Sequence, residues 1–156
     1  DAVVALIFVG YIMFVGSKII RKSLGGIMDE ADIGMLERLS KFLNENRKPE
    51  WIDVHNMRIQ QFGSRLHIDA HLTLPWYFEL RDAHNEMEEL IKLIVKNTDR
   101  KIEFNFHMDD CKPISCEICQ LSDCPVREKK FARKVNWNAE NIAHPDKHNV
   151  ENLDSQ

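Results

Sequence analysis

Glycine and proline are scarce, six and five in 156 residues, and no stretch is dominated by one residue type. Collagen-like, low-complexity and wholly disordered chains are thereby excluded, and the length leaves room for one domain of ordinary size. Excess positive charge is lacking as well: 21 Lys and Arg face 25 Asp and Glu, a formal net of −4. A phosphate backbone rewards clustered cations, so nucleic acid is not expected as a partner. Cysteine is missing from residues 1–110, and all four cysteines follow. Residues 2–17, AVVALIFVGYIMFVGS, lack any ionisable group except the phenol of Tyr11. Methionine is missing from the first position, where Asp1 stands, as expected of a fragment or a processed product.

What is present begins with that apolar run. Extended through Lys18, Ile19 and Ile20 it would span ~28 Å as a helix, close to the hydrocarbon thickness of a bilayer. A secretory signal wants basic residues before its apolar stretch; here Asp1 comes first and Lys18, Arg21 and Lys22 follow. The first 22 residues carry +2 and the remainder −6, so a terminal segment separates from a soluble body. We expect a transmembrane helix over residues 1–24, with the basic flank placing the body on the cytoplasmic side.

In SLGGIMDEA, residues 23–31, Gly25 and Gly26 followed by acids predict a break before a second helix that starts near Asp32. Met35, Leu36, Leu39, Phe42 and Leu43 recur there at helical spacing. Two β-type segments, Ile52 to Gln60 and Leu66 to Leu74, flank a short turn with Gly63 and Ser64 and predict an antiparallel hairpin. A helix over Phe78 to Asn97 and a strand over Lys101 to Met108 complete the order α-β-β-α-β. That order describes an α+β fold, a ferredoxin-like open-faced sandwich over residues 27–109. Residues 110–156 show no apolar period and are expected to form a cysteine-containing tail.

Strand alternation sorts the histidines. Leu66, Ile68, Ala70, Leu72 and Leu74 share one face, leaving His67, Asp69, His71 and Thr73 on the other. In the last strand Ile102, Phe104 and Phe106 point inward, and Glu103, Asn105, His107 and Asp109 outward. His107 and Asp109, roughly 7 Å apart at Cα, can converge on one ion, whereas His67 and His71, roughly 13 Å apart, cannot share one. In the first strand Ile52 and Val54 set one phase and Met57 and Ile59 the other, so a bulge is expected near His55 and the period does not assign its facing. Imidazoles on three strands with a carboxylate two residues after one of them form a ligand set suited to Zn²⁺, and Co²⁺, Cd²⁺, Fe²⁺ and Mn²⁺ accept the same ligands. Storage, sensing and catalysis use similar residues.

The stretches DAVVALIFVGYIMFVGSKIIRKSL, GGIMDEA, VHNMRIQQFG, HIDAHLTL, RDAHNEMEELIKLI and FNFHMDDC, in this order over about residues 1–111, resemble the C-terminal part of a cation diffusion facilitator. That family comprises dimeric divalent-metal/proton antiporters. The resemblance implies a last transmembrane helix followed by a cytoplasmic metal-binding dimerisation domain. It implies metal ligands at His55, His71, His84, His107 and Asp109, with His84, on a helix beside Ala83, supplied across a homodimer interface. Bound metal would then clamp two cytoplasmic domains together. Asp29 matches an acidic residue of the membrane junction, for which a helix-start acid is an equally good reading. The family's transport residues belong to other membrane helices that this sequence does not contain, so the fragment is not expected to transport alone.

Cys111, Cys116, Cys119 and Cys124 give C-x4-C-x2-C-x4-C. A cytoplasmic setting disfavours disulfides, and the CxxC pair is a recurrent zinc half-site, so a second metal site is one reading; free or redox-responsive thiols and an iron–sulfur cluster are the others. REKKFARK, residues 127–134, offers charge to anionic lipid or is a solvated face. His144 and His148 would share a face if the tail were helical. The expected function is a fragment of a zinc- or iron-like efflux transporter of a multi-pass membrane protein, not an enzyme. A stand-alone membrane-anchored metal sensor or chaperone is the alternative, and a zinc hydrolase using His107 and Asp109 a more distant one.

Overall fold

The computed structural model describes residues 1–27, 33–62 and 65–154. Helix α1 (Ala2–Ile27) is the apolar run. Its segment Ala2–Arg21 is long and apolar enough to cross a membrane, and the large apolar side chains from Val3 to Phe14 are exposed. Water penalises such a surface and a bilayer does not. Gly25 and Gly26, expected to break the helix, remain within it. The acidic stretch with Asp29 lies outside the described residues, as does the turn at Gly63 and Ser64.

Helix α2 (Ile33–Glu45) buries Met35, Leu39 and Leu43, a one-face stripe at intervals of four. Strands β1 (Asp53–Phe62) and β2 (Arg65–Leu74) pair antiparallel, and helix α3 (Leu80–Lys96) returns the chain so that β3 (Lys101–Asp110) runs parallel to β2. The sheet order is β1-β2-β3. This is the expected α+β arrangement, with the helices on the face formed by Leu66, Ile68, Ala70 and Leu72. Leu90 and Ile94 of α3 are fully buried there, each contributing about 1.5–3 kcal/mol of apolar burial.

The phase change in β1 is a bulge. His55 pairs with His71, and the register then shifts before Arg58 pairs with Asp69. Asn56 absorbs the extra residue with φ 51°, a left-handed conformation that Asn tolerates better than most residues. The bulge keeps Val54, Met57 and Ile59 buried while turning His55 onto the polar face.

The chain beyond β3 contributes to the same core. It makes a 3-10 turn (Pro113–Glu117) and the short helices α4 (Ala139–Ala143) and α5 (Val150–Asp154). Ile118, Cys119, Val135, Trp137 and Ile142 are buried against the domain. Arg47 ties the parts together. It donates to the carbonyls of Trp51 at 2.9 Å, Val135 at 3.1 Å and Ile52, and its guanidinium lies 4.1 Å from the centre of the Trp137 ring. Burial pulls its pKa down to about 10, against the opposing pull of Asp53.

Candidate metal centre

Register builds the site. Across the polar face His55, His71 and His107 occupy one row, and Asp53, Thr73 and Asp109 the next. Ring centres are 5.0 Å apart between His55 and His71 and 4.8 Å apart between His71 and His107. Asp109 draws the row together: its Oδ2 lies 3.2 Å from His71 Nδ1 and 3.4 Å from His55 Nε2, and its Oδ1 lies 3.0 Å from His107 Nδ1.

One ligand atom each from His55, His71 and Asp109 falls within 4.8 Å of the others. Ligands of a tetrahedral Zn²⁺ at ~2.0–2.1 Å stand roughly 3.3 Å apart, so small side-chain adjustments suffice. Burial is graded across the cluster: the His55 side chain is 3% exposed, Asp109 13%, His71 34% and His107 68%. The inner side chains are therefore held by packing, and the open end faces solvent at His107.

His84 is not part of this cluster. It lies on α3, in the helical layer behind the sheet, is largely exposed, and faces Glu88 with Nε2 3.4 Å from Oε1. His67, excluded by strand spacing from sharing an ion with His71, pairs instead with Asp69 at 3.2 Å.

Three participants escaped the sequence reading. Asp53, on the same face two residues before His55, presents Oδ2 to His55 Nδ1 at 3.5 Å. His148, fully buried, places Nδ1 2.8 Å from Asp53 Oδ1, and its backbone N–H donates to Asp53 Oδ2 at 2.9 Å. Lys147 places Nζ 3.6 Å from Asp109 Oδ2 and donates to the Asp110 carbonyl at 3.1 Å. The D-x-H spacing of Asp53 and His55 was a usable signal, the mirror of H-x-D in β3. Nothing in the polar tail marked Lys147, and His148 stood out only as a helical neighbour of His144, not as a partner of Asp53. Nor do His144 and His148 share a helix: His144 caps the end of α4 and His148 precedes α5.

Burial alone would raise the Asp53 carboxyl, but the hydrogen bonds from His148 and the nearby His55 ring outweigh it and hold the group well below the usual carboxylate range. Burial also opposes ionisation of Asp109, and His71 and Lys147 overcome it, keeping its pKa low. Both carboxylates are thus charged at neutral pH. The buried His55 Nδ1 and Thr73 Oγ1 have no hydrogen-bond partner within normal geometry. A His that ligates through Nε2 uses Nδ1–H on a carboxylate, and Asp53 stands on that side. The donor set therefore fits a borderline divalent ion held by imidazole nitrogen and one carboxylate oxygen.

Residues 35–111 match the family model described as the cytoplasmic domain of cation efflux proteins. Among solved structures the chain is similar to one of CzrB, described as a zinc transporter, at 20% identity and TM-score 0.46, covering 51% of this chain and 95% of that one. The zinc form of CzrB gives 21% identity and TM-score 0.45 over 49% and 85% of the two chains. MamB CTD, a magnetosome protein of Desulfamplus magnetovallimortis BW-1, gives 18% identity and TM-score 0.44 over 49% and 91%. No curated protein matches the chain.

Proposed function

Because the chain belongs to the cation efflux family, whose cytoplasmic domain it carries at residues 35–111, we propose that it is the C-terminal part of a proton-coupled divalent-metal exporter, with a regulatory metal site at His55, His71 and Asp109. Helix α1 is its last membrane span in this reading, the body is cytoplasmic, and further spans of the intact multi-pass protein hold the transport pathway. The cargo and the regulatory ligand are the same class of ion, most simply Zn²⁺, with Fe²⁺, Cd²⁺, Co²⁺ and Mn²⁺ compatible with the donors.

The observation that carries the reading is the convergence of ligand atoms from three strands within 4.8 Å. Convergence of imidazoles on an ionised carboxylate gives a site whose occupancy tracks free metal in the cytosol. Three ligands from one chain leave a coordination position at the open end. His107 of the same subunit or His84 of a second copy completes it. Where the second copy contributes, metal binding and homodimer formation share one free energy, and rising metal tightens the dimer.

The test uses the full chain in detergent micelles. Zn²⁺ should raise its melting temperature and shift it toward the dimer, and His71→Ala with Asp109→Ala should remove most of both effects while the folded spectrum persists. An unchanged zinc response in that double variant would reject the site. Substitution of His84 separates the two modes of completion: it should weaken the zinc-driven dimer without abolishing binding to one subunit.

A further inference from the structure

We propose that the end of the body at which α1 arrives is a docking surface for anionic lipid, with one lipid phosphate seated in a cavity between Arg38 and Arg100. The inference rests on the reading of α1 as a membrane span, and it assigns a partner to residues that the proposed metal site does not use.

A cavity of about 100 Å³ opens where the first half of α2 meets the turn between α3 and β3. It is lined by Arg38, Asn97, Thr98 and Arg100 and by the buried Leu39 and Ile94. A drug-sized ligand needs roughly 300 Å³ or more, so this space suits one compact polar group. The donors are of the kind a phosphate selects, because a guanidinium fork matches phosphate oxygens two at a time. Arg100 is oriented by its Nη1, which donates to Gln61 Oε1 at 3.3 Å. Its backbone N–H donates to Thr98 Oγ1 at 3.3 Å, so the Thr98 O–H remains to donate elsewhere. The C-terminal end of α3 also opens here, where the Asn97 N–H donates to the Ile94 carbonyl at 3.0 Å and the Thr98 N–H to the Val95 carbonyl at 3.3 Å. The dipole at that end is equivalent to about half a negative charge, against two guanidinium cations, so the cavity keeps a positive balance.

Charge and connectivity name the partner. Residues 96–101, KNTDRK, hold three cations and one acid, and Arg65 stands opposite Lys101 in the strand register. These four cations and Arg38 are exposed. Of the neighbouring acids, Glu103 faces His67 at 3.9 Å and Glu37 lines a different cavity beside α4. Asp53 and Asp109 lie at the opposite end of the sheet, roughly 26 Å from Lys101 at the rise of a β-strand. Six Cα steps separate Ile27, the last residue of α1, from Ile33, the first of α2, a reach of at most about 22 Å. Helix α1 therefore brings the bilayer to the basic end of the body, and each Lys or Arg within a Debye length of an anionic leaflet is drawn to it. The run REKKFARK, offered to the same partner by the sequence, is engaged elsewhere: Arg127 donates to the Cys116 carbonyl at 2.9 Å, Lys129 pairs with Glu117 at 3.0 Å, and the Ala132 N–H is tied to the Glu117 carbonyl, beyond the acidic end of β3.

The experiment places the full chain in nanodiscs of phosphatidylcholine alone, or of phosphatidylcholine and phosphatidylglycerol in equal parts, and reads amide hydrogen exchange. In the anionic discs residues 35–39 and 96–101 should exchange roughly 10–30-fold more slowly, the order that two basic residues contribute at an anionic surface, and raised salt should remove the protection. Arg38→Gln with Arg100→Gln should abolish it, and Arg38→Lys with Arg100→Lys should retain part of it. Should the glutamine variant fail to fold, the salt and lipid dependence of the wild-type chain decides. Inorganic phosphate added to the neutral discs should not reproduce the protection; if it does, the occupant is a free anion and the lipid assignment fails. Protection equal in both discs, or confined to residues 18–27, would overturn the docking surface while leaving α1 as a membrane span. Free exchange along residues 2–21 in both discs would overturn the span and the docking surface together.

Discussion

His148 grips Asp53 twice, through its ring nitrogen at 2.8 Å and its backbone N–H at 2.9 Å, and Asp53 in turn backs His55. A residue 95 positions away in sequence thereby orients His55, an inner ligand of the proposed metal centre. The pair is buried on both sides, so removing one partner leaves the other without compensation.

Asp53→Asn should therefore destabilise the domain by roughly 3 kcal/mol, a fall in Tm of about 10 °C, and weaken metal binding by about 10–100-fold. Thermal unfolding and zinc titration of the same preparation measure both. A purely structural role would lower Tm with binding unchanged in the surviving folded fraction.

Lys147 sits on the same oxygen of Asp109 that faces His55 and His71. An incoming dication competes with that ammonium. Lys147→Met should tighten zinc binding by roughly 2–5-fold, the order expected of a partly exposed ion pair worth ~0.5–1 kcal/mol, and should flatten the salt dependence of binding. Calorimetric titration at two ionic strengths reads both; weaker binding in the variant would contradict this competition.

Acid should empty the site before it unfolds the domain. Asp53 has a folded-state pKa below its unfolded one, so its contribution to stability is complete above about pH 4 and is lost as the pH falls further. Asp109 is shifted the same way. Imidazole ligands must be unprotonated to bind, so zinc affinity should drop steeply from neutral pH to pH 5 while the circular dichroism spectrum is unchanged. Affinity retained at pH 5 would instead assign the binding to carboxylates.

The bulge in β1 offers a conformational test. Asn56, at φ 51°, also donates its N–H to the His144 carbonyl at 2.6 Å. Asn56→Gly should be nearly neutral, within about 0.5 kcal/mol, whereas Asn56→Val should cost more than about 1 kcal/mol and disturb the facing of His55. Denaturant midpoints for the two variants compare them directly.

Much of this was legible in the order of residues. The alternation in β2 and β3 put His71, His107 and Asp109 on one face because a strand's period of two leaves no other choice. The phase slip between Val54 and Met57 announced the bulge, but which way His55 turned needed the register against His71. The tail resisted reading for a different reason. Its buried residues, Ile118, Val135, Trp137 and Ile142, come singly from irregular segments, so no helical or strand period links them. The partnership of His148 with Asp53 is a long-range contact between a polar tail and a strand end, for which one sequence carries no local sign.

The place of Trp137, Ile142 and His148 in the interior has a consequence for biogenesis. A nascent chain halted just after β3 would have made the whole sheet, yet would still show water the surface that these three later seal. Such an intermediate is a natural substrate for chaperones and proteases, and premature stop codons upstream of residue 135 should reduce cellular abundance more sharply than the size of the missing piece suggests.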